Sequence, residues 1–547
     1  MSAIRGSRRM IAGAAGTAVL ALVLTACGGG SGDGGNGDGG GSAESMIIGT
    51  TDKITSLDPA GSYDNGSFAV MNQVYPFLMN TPYGSPDVQP DIAESAEFTA
   101  PKEYTVKLKP GLKWANGNDL TSSDVKFTFD RQLKIADENG PSSLLYNLDS
   151  VETPDDTTVV FKLKSANDQI FPQILSSPAG PIVDEDVFSP DAVTDDQTIV
   201  DGKAFAGQYS ITGYKTNELV SYEKYDGYEG ILGEAKTPKI NVKYFTDASN
   251  LKLEVQDGSV DVAFRSLSPT DIEDLGKDDK VKVVTGPGGE TRYIVFNFDT
   301  QPYGAKQSDA DPKKATAVRQ AVADLIDRQA LADQVYKGTY TPLYSFVPDG
   351  LTGATEPLKE MYGDGQGGPD ADKAKQTLAD AGVTTPVELN LQYSNDHYGP
   401  SSGDEYALIK DQLEESGLFK VNLQTTEWVQ YSKDRTADVY PAYQLGWFPD
   451  YSDADNYLTP FFLKENFLGN HYVNQDVEDM ILEQAVTADE KKRTDLLGQI
   501  QESVAKDLST VPYLQGAQVA VTAKDVTGTE DTLDASFKFR YGALAKG

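Results

Sequence analysis

Cysteine and histidine are nearly absent from this chain of 547 residues, which has one cysteine, Cys27, and two histidines, His397 and His471. A single cysteine excludes a disulfide within the chain and a zinc site built from cysteines. The two histidines are far apart in sequence and lack the short spacing that places two imidazoles on one helix face. We therefore predict no metal site and no cofactor.

Basic residues are also in deficit, because 47 lysines and arginines face 83 aspartates and glutamates and the formal net charge is −36. Such an acidic chain repels nucleic acids and anionic lipid surfaces, so neither is expected as a direct partner. The hydrophobic fraction of 39% is ordinary for a globular protein, and the length favours two or three domains.

Catalytic motifs are missing as well. The sequence has no phosphate-binding P-loop and no nucleophile elbow of the hydrolase type. The segment Gly363–Gly368 matches the spacing GxGxxG, but it does not follow a predicted strand and Pro369 comes directly after it. We interpret it as a loop. The sequence thus predicts a protein that is not an enzyme.

Long hydrophobic runs are confined to the start of the chain. Arginines precede the apolar stretch Ile11–Leu24, which is too short for a comfortable transmembrane span and fits a signal segment. It ends in Leu24-Thr25-Ala26-Cys27, which resembles the bacterial lipobox, whose cysteine receives a lipid. The alternative interpretation is an ordinary signal peptide with a chance cysteine.

The lipobox resemblance implies a lipoprotein signal peptide at 1–27, a lipid on Cys27 and a Gly-rich flexible tether at 28–44. The body would then be held at the extracellular face of a bacterial cell membrane. The sequence leaves open whether export uses the Sec or the twin-arginine route.

The body of the chain alternates two kinds of hydrophobic period. Apolar residues recur at every second position in predicted strands and at helical spacing in predicted helices. In the second half the two types follow one another, which is typical of an α/β fold. The predicted strands are 104–109, 158–164, 387–393 and 421–423, and the predicted helices are 313–337, 371–381, 405–415 and 476–506 with a break near Thr487.

Several short segments resemble, in order, motifs of one family. They are Ser56-Leu57-Asp58-Pro59, Tyr104–Trp114, Asn116–Val125, Leu253–Asp261, Val318-Arg319-Gln320-Ala321 with Ile326-Asp327-Arg328, Asp372–Gly382, and Glu427-Trp428 followed by Gly446–Tyr451. The ordered set is similar to the bacterial extracellular solute-binding proteins of the peptide/nickel family, the dipeptide- and oligopeptide-binding lipoproteins of ABC importers. One departure is Ala206-Gly207-Gln208-Tyr209, where the family has a GTGPY motif.

This resemblance implies an α/β periplasmic-binding-protein-like fold of two lobes with a hinge and an extra third domain. Lobe I would be discontinuous and lobe II continuous, with ligand bound between them and buried by hinge closure. The implied ranges are 45–70, 185–285 and 509–547 for lobe I, 71–184 for the extra domain, and 286–508 for lobe II.

The resemblance also implies four ligand-binding residues. Asp450, three residues after Trp447, would hold a peptide ammonium, and Trp428 and Trp447 would form aromatic walls. Arg435, seven residues after Trp428, would help to meet the peptide carboxyl end. The alternatives are a core role for Trp428, a surface position for Arg435 and a surface aspartate in an acidic turn for Asp450.

The expected function is capture of di- to oligopeptides and delivery to the transmembrane permease subunits of an ABC importer by a monomer. An alternative keeps the fold and changes the solute to an oligosaccharide, a metal chelate or an opine. A second alternative, an extracellular hydrolase or structural surface protein, lacks any nucleophile or metal motif.

Overall fold

The computed structural model describes residues 44–399, 401–464, 466–536 and 538–547, and for Val429 the backbone alone. The predicted signal peptide, Cys27 and the predicted tether up to residue 43 lie outside the described residues. No helix in these ranges combines the length and the apolar character needed to cross a membrane.

A first, seven-stranded sheet gathers strands from distant parts of the chain. Its central strand, Ser45–Thr50, pairs in parallel with neighbours on both sides, and its apolar residues Met46 and Ile48 are buried. The sheet order is Val281–Gly286, Gln518–Ala523, Val262–Phe264, Ser45–Thr50, Lys239–Tyr244, Leu219–Lys224 and Tyr209–Lys215.

A second, six-stranded sheet forms from the later half of the chain. Val387–Ser394 and Phe419–Thr426 pair in parallel along their whole length, as their alternating sequences and the helix Ser402–Glu415 between them predict. The predicted strand and helix positions here are confirmed. The sheet order is Tyr340–Pro342, Thr510–Gly516, Thr291–Phe296, Ala442–Trp447, Val387–Ser394 and Phe419–Thr426.

A third, four-stranded antiparallel sheet has its own hydrophobic cluster. Helix Ser122–Ile135 lies against it and begins with a capping box in which Thr121 and Asp124 satisfy each other's backbone N–H groups. The sheet order is Ala93–Ala100, Glu103–Leu108, Thr158–Leu163 and Leu148–Asp155. Two-stranded pairs join Met79–Asn80 to Gln89–Pro90 and Val526–Thr527 to Ala545–Lys546.

The other helices cover the three sheets and connect their strands. The predicted long helical stretch after residue 475 is broken into two helices on either side of Thr487, as expected. These helices are Asn65–Val74, Phe171–Ile174, Asp196–Asp201, Ala248–Asp257, Pro269–Leu275, Pro312–Leu325, Arg328–Ala330 with a π-helical turn at Leu331–Val335, Pro357–Met361, Ala371–Asp380, Trp428–Thr436, Thr459–Phe462, Gln475–Gln484 and Glu490–Asp507.

The chain crosses between the first and second sheets at two neighbouring segments. One crossover connects Val281–Gly286 to Thr291–Phe296, and the other, at Ala517, connects Thr510–Gly516 to Gln518–Ala523. The Gly516 N–H donates to the Glu290 carbonyl at 2.9 Å, so the two crossovers run side by side. This is a two-lobed α/β architecture in which paired backbone segments join the lobes.

The position of Thr510–Gly516 differs from the expected boundary of lobe I at residue 509. This strand pairs with Thr291–Phe296 and Tyr340–Pro342 in the second sheet, so the chain returns to the first sheet only after Ala517. All seven of its residues are buried. A strand buried on both faces suits either sheet by sequence, and only tertiary pairing decides which one it joins.

Candidate functional site

A cavity of about 400 Å³ lies between the lobes and is lined mainly by aromatic rings. We call it the aromatic pocket. Its lining includes Tyr63, Asp64, Asn65, Phe68 and Pro178 near the first and third sheets, and His397, Tyr398, Trp428, Gly446–Asp450 and Phe467 near the second sheet, with Ser536 and Lys538 from the end of the chain. The pocket thus draws on segments that are hundreds of residues apart.

The Trp428 indole forms one wall of the aromatic pocket. Its ring stacks on the His397 ring at 3.7 Å between centroids with 5° between planes, and on Tyr431 at 5.7 Å. Its backbone N–H donates to Asp396 at 2.9 Å. Burial lowers the pKa of His397, which favours a neutral imidazole in this stack. The wall is therefore flat, uncharged and fixed in orientation.

The Trp447 indole forms a second wall. It lies at the end of strand Ala442–Trp447 and packs edge-on against Phe461, with 5.0 Å between centroids, and against Phe467 at 5.7 Å. Arg435 contacts Phe467, which in turn packs against Trp447. The Arg435 guanidinium lies 4.7 Å from the Phe467 ring centroid and donates a hydrogen bond to the Phe467 carbonyl at 3.1 Å. Arg435 itself is buried and does not line the pocket.

The Asp450 carboxylate lines the aromatic pocket together with Trp447, three residues earlier in the chain. The Tyr63 hydroxyl, from the other lobe, donates to one oxygen, and the Asn456 amide donates to the other at 3.2 Å. Burial raises the pKa of Asp450, and these two hydrogen bonds partly offset that effect. A half-buried carboxylate with neutral donors only would gain from a cationic partner.

Asn456 connects Asp450 to Trp447. Its amide oxygen accepts from the Trp447 indole N–H at 3.0 Å and from the Asp450 backbone N–H at 2.9 Å, while its amide nitrogen donates to the Asp450 carboxylate. The side chain is 1% exposed. A primary amide both donates and accepts, so one residue fixes the ring and the carboxylate together.

Lys538 contributes an amine to the lining of the aromatic pocket. Its Nζ donates to the backbone carbonyl and to the hydroxyl of Ser176, both at 2.7 Å. Burial, together with the neighbouring Arg540, holds the pKa of Lys538 well below its ordinary value. The amine is paired with neutral oxygens rather than with Asp450, so the pocket does not neutralise its own carboxylate.

A second cavity of about 360 Å³ lies beside the crossovers, and we call it the crossover pocket. Tyr398 lines both cavities. Its ring packs on Gly446, where an added Cβ would lie 2.9 Å from the Tyr398 Cε1 atom. The glycine of the Gly446-Trp447 motif is therefore required by the wall that the two cavities share.

The structure brings together three of the four residues expected in the site, because Asp450, Trp447 and Trp428 line one cavity whereas Arg435 does not. Sequence reasoning missed Tyr63, Asn456, Lys538 and Tyr398. Asn456 lies only six residues after Asp450, so the local sequence of the acidic turn could have indicated it. The other three come from distant segments and carry no local signal.

One group of possible metal ligands in the described part of the chain lies away from both cavities and consists of Asp299, Asp438 and His471. The Lys306 ammonium lies 2.9 Å from Asp299 and 3.2 Å from Asp438. Although burial opposes it, hydrogen bonds from Asn297, His471 and Lys306 lower the pKa of Asp438 to about 2. These contacts describe an ion-pair cluster built around a lysine.

Known proteins resemble this chain over most of its length. The Glutathione-binding protein GsiB of Escherichia coli (strain K12) is 25% identical over 524 residues, covering 92% of this chain and 95% of the relative. The Heme-binding protein A of Haemophilus influenzae is 26% identical over 521 residues, covering 89% and 90%. The crystal structure of the ABC transporter substrate binding protein CtaP of Listeria monocytogenes superimposes with a TM-score of 0.76 at 23% identity, covering 92% and 99%.

The family model described as bacterial extracellular solute-binding proteins, family 5 Middle, matches residues 87–469. That range includes the Trp428 and Trp447 walls, Asp450 and the third sheet. The chain therefore belongs to the family 5 bacterial extracellular solute-binding proteins, the substrate-binding components of ABC importers, and is a binding protein rather than an enzyme.

Proposed function

We propose that this protein captures peptides in the aromatic pocket and delivers them to an ABC importer. The single observation that carries the proposal is the half-buried Asp450 carboxylate, which faces the cavity with neutral hydrogen-bond donors and no cation of its own among the described contacts. A peptide ammonium is the cation that such a carboxylate would accept.

The walls of the pocket support a ligand with varied side chains. Flat rings such as Trp428 and Trp447 gain contact area from many shapes, since stacking and apolar burial do not require a fixed hydrogen-bond pattern. The ligand would thus be recognised at its charged backbone end and tolerated along its side chains.

The relatives do not decide the ligand, because one is named for glutathione and another for heme. The choice rests on the site. A neutral oligosaccharide would stack on Trp428 but would leave Asp450 without a cationic partner. Removing water from the Asp450 carboxylate would then cost free energy that no ion pair offsets. An oligosaccharide remains the second candidate because the stacked Trp428 and His397 rings present a flat face.

We also propose that the mature protein is a monomer anchored by a lipid on Cys27 at the extracellular face of the cell membrane. The lipobox resemblance of residues 24–27 and the Gly-rich stretch that follows support this arrangement. A tether of that composition lets a binding domain reach a permease in the same membrane.

Isothermal titration with a short peptide tests the proposal. Asp450→Ala leaves the ligand ammonium buried and unpaired, so we expect affinity to fall by about 2–5 kcal/mol, or roughly 30- to several-thousand-fold. Asp450→Asn keeps the shape and removes the charge, and it should lose most of the same free energy. N-acetylation of the peptide should weaken its binding to the native protein for the same reason.

Asp411→Asn is the matched control, because Asp411 is exposed on helix Ser402–Glu415 and the substitution is chemically the same. It should bind like the native protein. Affinities within threefold of one another for the native, Asp450→Ala and Asp450→Asn proteins would show that Asp450 does not hold the ligand. Tight binding of an oligosaccharide with no binding of any peptide would favour the second candidate.

A further inference from the structure

We propose that Tyr451 is a positioning residue for the ligand site, which holds the Asp450 carboxylate in the aromatic pocket by anchoring its own segment of chain in the third sheet. The inference rests on the proposed function, because it assigns a support to the group that would bind the ligand ammonium. It gives the third sheet a part in ligand recognition that does not require contact with the ligand.

Tyr451 lies in the hydrophobic cluster of the third sheet, although it follows strand Ala442–Trp447 of the second sheet. Among the described residues, every other buried member of this cluster comes from the range 78–206. Tyr451 is 9% exposed, so packing removes most of its surface from water. Its ring thus ties the lobe of the second sheet to the third sheet.

Two hydrogen bonds also join residues 78–206 to the lobe of the second sheet. The Gln169 N–H donates to the Ala485 carbonyl at 2.8 Å, and the Thr352 hydroxyl donates to the Asp87 carboxylate at 3.0 Å. Ala485 also packs against the same hydrophobic cluster as Tyr451. Tyr451 is therefore part of a larger interface between these two regions.

The hydroxyl of Tyr451 is bound within its own lobe. It donates to the Asp455 carboxylate at 3.0 Å. Asp455 is 2% exposed and also accepts from the Thr459 hydroxyl at 2.6 Å and from the Gln484 amide. Burial raises the pKa of Asp455 to about 6, and the hydrogen bond from Tyr451 is among the contacts that oppose this rise. The ring therefore packs on the third sheet while the hydroxyl is held by the lobe of the second sheet.

Asp450 directly precedes Tyr451, and the two side chains have different surroundings. Asp450 lines the aromatic pocket, whereas Tyr451 is absent from that lining. Asn456, which donates to the Asp450 carboxylate at 3.2 Å, directly follows Asp455, the acceptor of the Tyr451 hydroxyl. The carboxylate and its amide partner are thus each next in sequence to a residue that the Tyr451 anchor fixes. A change in the anchor should move the carboxylate.

A displaced Asp450 would hold an ammonium less tightly. The attraction between two charges falls as their separation grows, and a hydrogen bond weakens steeply away from its preferred distance and angle. Burial raises the pKa of Asp450, so its ionised form depends on partners at the correct positions. Tyr451 would then affect ligand binding only through Asp450.

Calorimetry with the peptide Ala-Ala-Ala tests the inference on the native protein and on Tyr451→Leu, with displacement titration for weak complexes. Leucine keeps an apolar side chain and removes both the ring and the hydroxyl. We expect Tyr451→Leu to weaken binding by about tenfold, because the ammonium meets a displaced carboxylate.

The double variant Asp450→Asn/Tyr451→Leu separates positioning from a general loss of structure. Two residues that act through one contact have non-additive effects. When Asp450 is already Asn, we expect Tyr451→Leu to change the affinity by less than about twofold. A loss of the same size in both backgrounds would show a merely structural role and overturn the inference.

Tyr104→Leu is the matched control. Tyr104 is 4% exposed in the same cluster, but it lies on strand Glu103–Leu108, far in sequence from Asp450. It should lower the thermal midpoint about as much as Tyr451→Leu and keep the native affinity. A tenfold loss in Tyr104→Leu as well would assign the effect to the cluster in general and overturn the inference.

Tyr451→Phe keeps the ring in the cluster and removes only the hydroxyl. It should fold like the native protein and weaken peptide binding by about threefold, since one neutral hydrogen bond is lost from the anchor. If Tyr451→Leu does not fold, the same cycle with Tyr451→Phe decides the matter, and its loss must disappear in the Asp450→Asn background.

The result can be separated from the fate of the proposed function, because Asp450→Asn alone reports on the ammonium anchor. A weakened Asp450→Asn protein together with native affinity in Tyr451→Leu would overturn only this inference. Native affinity in Asp450→Asn, or no binding of the peptide by the native protein, would overturn both.

Discussion

At the scale of single residues, Asp450 and Lys538 of the aromatic pocket both have pKa values shifted away from their ordinary values. Burial raises the pKa of Asp450 and lowers that of Lys538. Both shifts disfavour the charged form of the side chain. A ligand that restores a partner to Asp450 therefore stabilises the ionised carboxylate.

This shift predicts how ligand binding depends on pH. An ammonium binds the ionised form of Asp450, so affinity is constant while Asp450 is ionised and falls as the pH drops through its raised pKa. The loss should begin at a less acidic pH than for an aspartate with the usual pKa of about 3.9. Titration of a peptide from about pH 7 to about pH 4 measures it.

The Asp450→Asn protein provides the comparison for this pH profile. It lacks the titrating group, so its weaker affinity should change little over the same range except where the peptide itself titrates. Parallel profiles for the native and Asp450→Asn proteins would assign the pH dependence to another group.

At the scale of elements, the two crossover segments are packed without space for side chains. The Gln515 amide donates to the Gly288 carbonyl at 2.6 Å, and a Cβ added at Gly288 would lie 1.9 Å from the Gly516 carbonyl oxygen. The backbone of one crossover thus occupies the place of a side chain on the other. The close approach explains the glycine and keeps the joint between the lobes compact.

Gly288→Ala should therefore destabilise the protein. Forcing the two backbones apart is an overpacking change, for which we expect a loss of about 1–3 kcal/mol and a lower thermal midpoint. Gly498→Ala is the matched control in helix Glu490–Asp507, where the nearest atom to an added Cβ is the Thr355 Cγ2 at 3.9 Å. It should raise stability by about 0.5–1 kcal/mol. Equal thermal midpoints for the two variants would contradict this role of Gly288.

At the scale of the whole molecule, two of the contacts that cross the cleft outside the crossovers involve residues that line the cavities. The Tyr63 hydroxyl donates to Asp450, and the Arg265 guanidinium lies over the Phe448 ring. Each pair takes one residue from either side of the cleft. Tyr63 and Asp450 both line the aromatic pocket, whereas Arg265 lines the crossover pocket and Phe448 lines the aromatic pocket. A ligand that contacts both sides favours the arrangement in which they are close.

Ligand binding should make the molecule more compact. Small-angle scattering with a saturating peptide should give a smaller radius of gyration than without it, because a ligand shared by two lobes shifts the population to closed forms. An N-acetylated peptide at the same concentration is the control and should cause little change. An identical profile with and without saturating ligand would count against lobe closure.

Attachment to the membrane should depend on Cys27. Cys27→Ser removes the thiol that would carry the lipid and leaves the described body unaltered in sequence, so the protein should move from the membrane fraction to the soluble fraction. Fractionation with immunodetection measures this. A Cys27→Ser protein that stays in the membrane fraction would show that the lipobox interpretation is wrong.

The sequence by itself determined the features that depend on a few neighbouring residues. Alternating strands such as Val387–Ser394, the helix Ser402–Glu415 that follows it and the Gly446-Trp447 motif are local patterns of hydrophobicity and spacing. The ordered motifs also led correctly to the family and to the two-lobed α/β fold.

Only the tertiary structure decided which distant groups meet. Tyr63 contacts Asp450 across 387 positions of sequence, and strand Thr510–Gly516 joins the second sheet rather than the first. Arg435 follows Trp428 at the expected spacing, yet its guanidinium contacts the backbone at Phe467 instead of the cavity. Short-range periodicity cannot encode such outcomes, because they depend on which buried surfaces and hydrogen-bond partners the complete fold brings together.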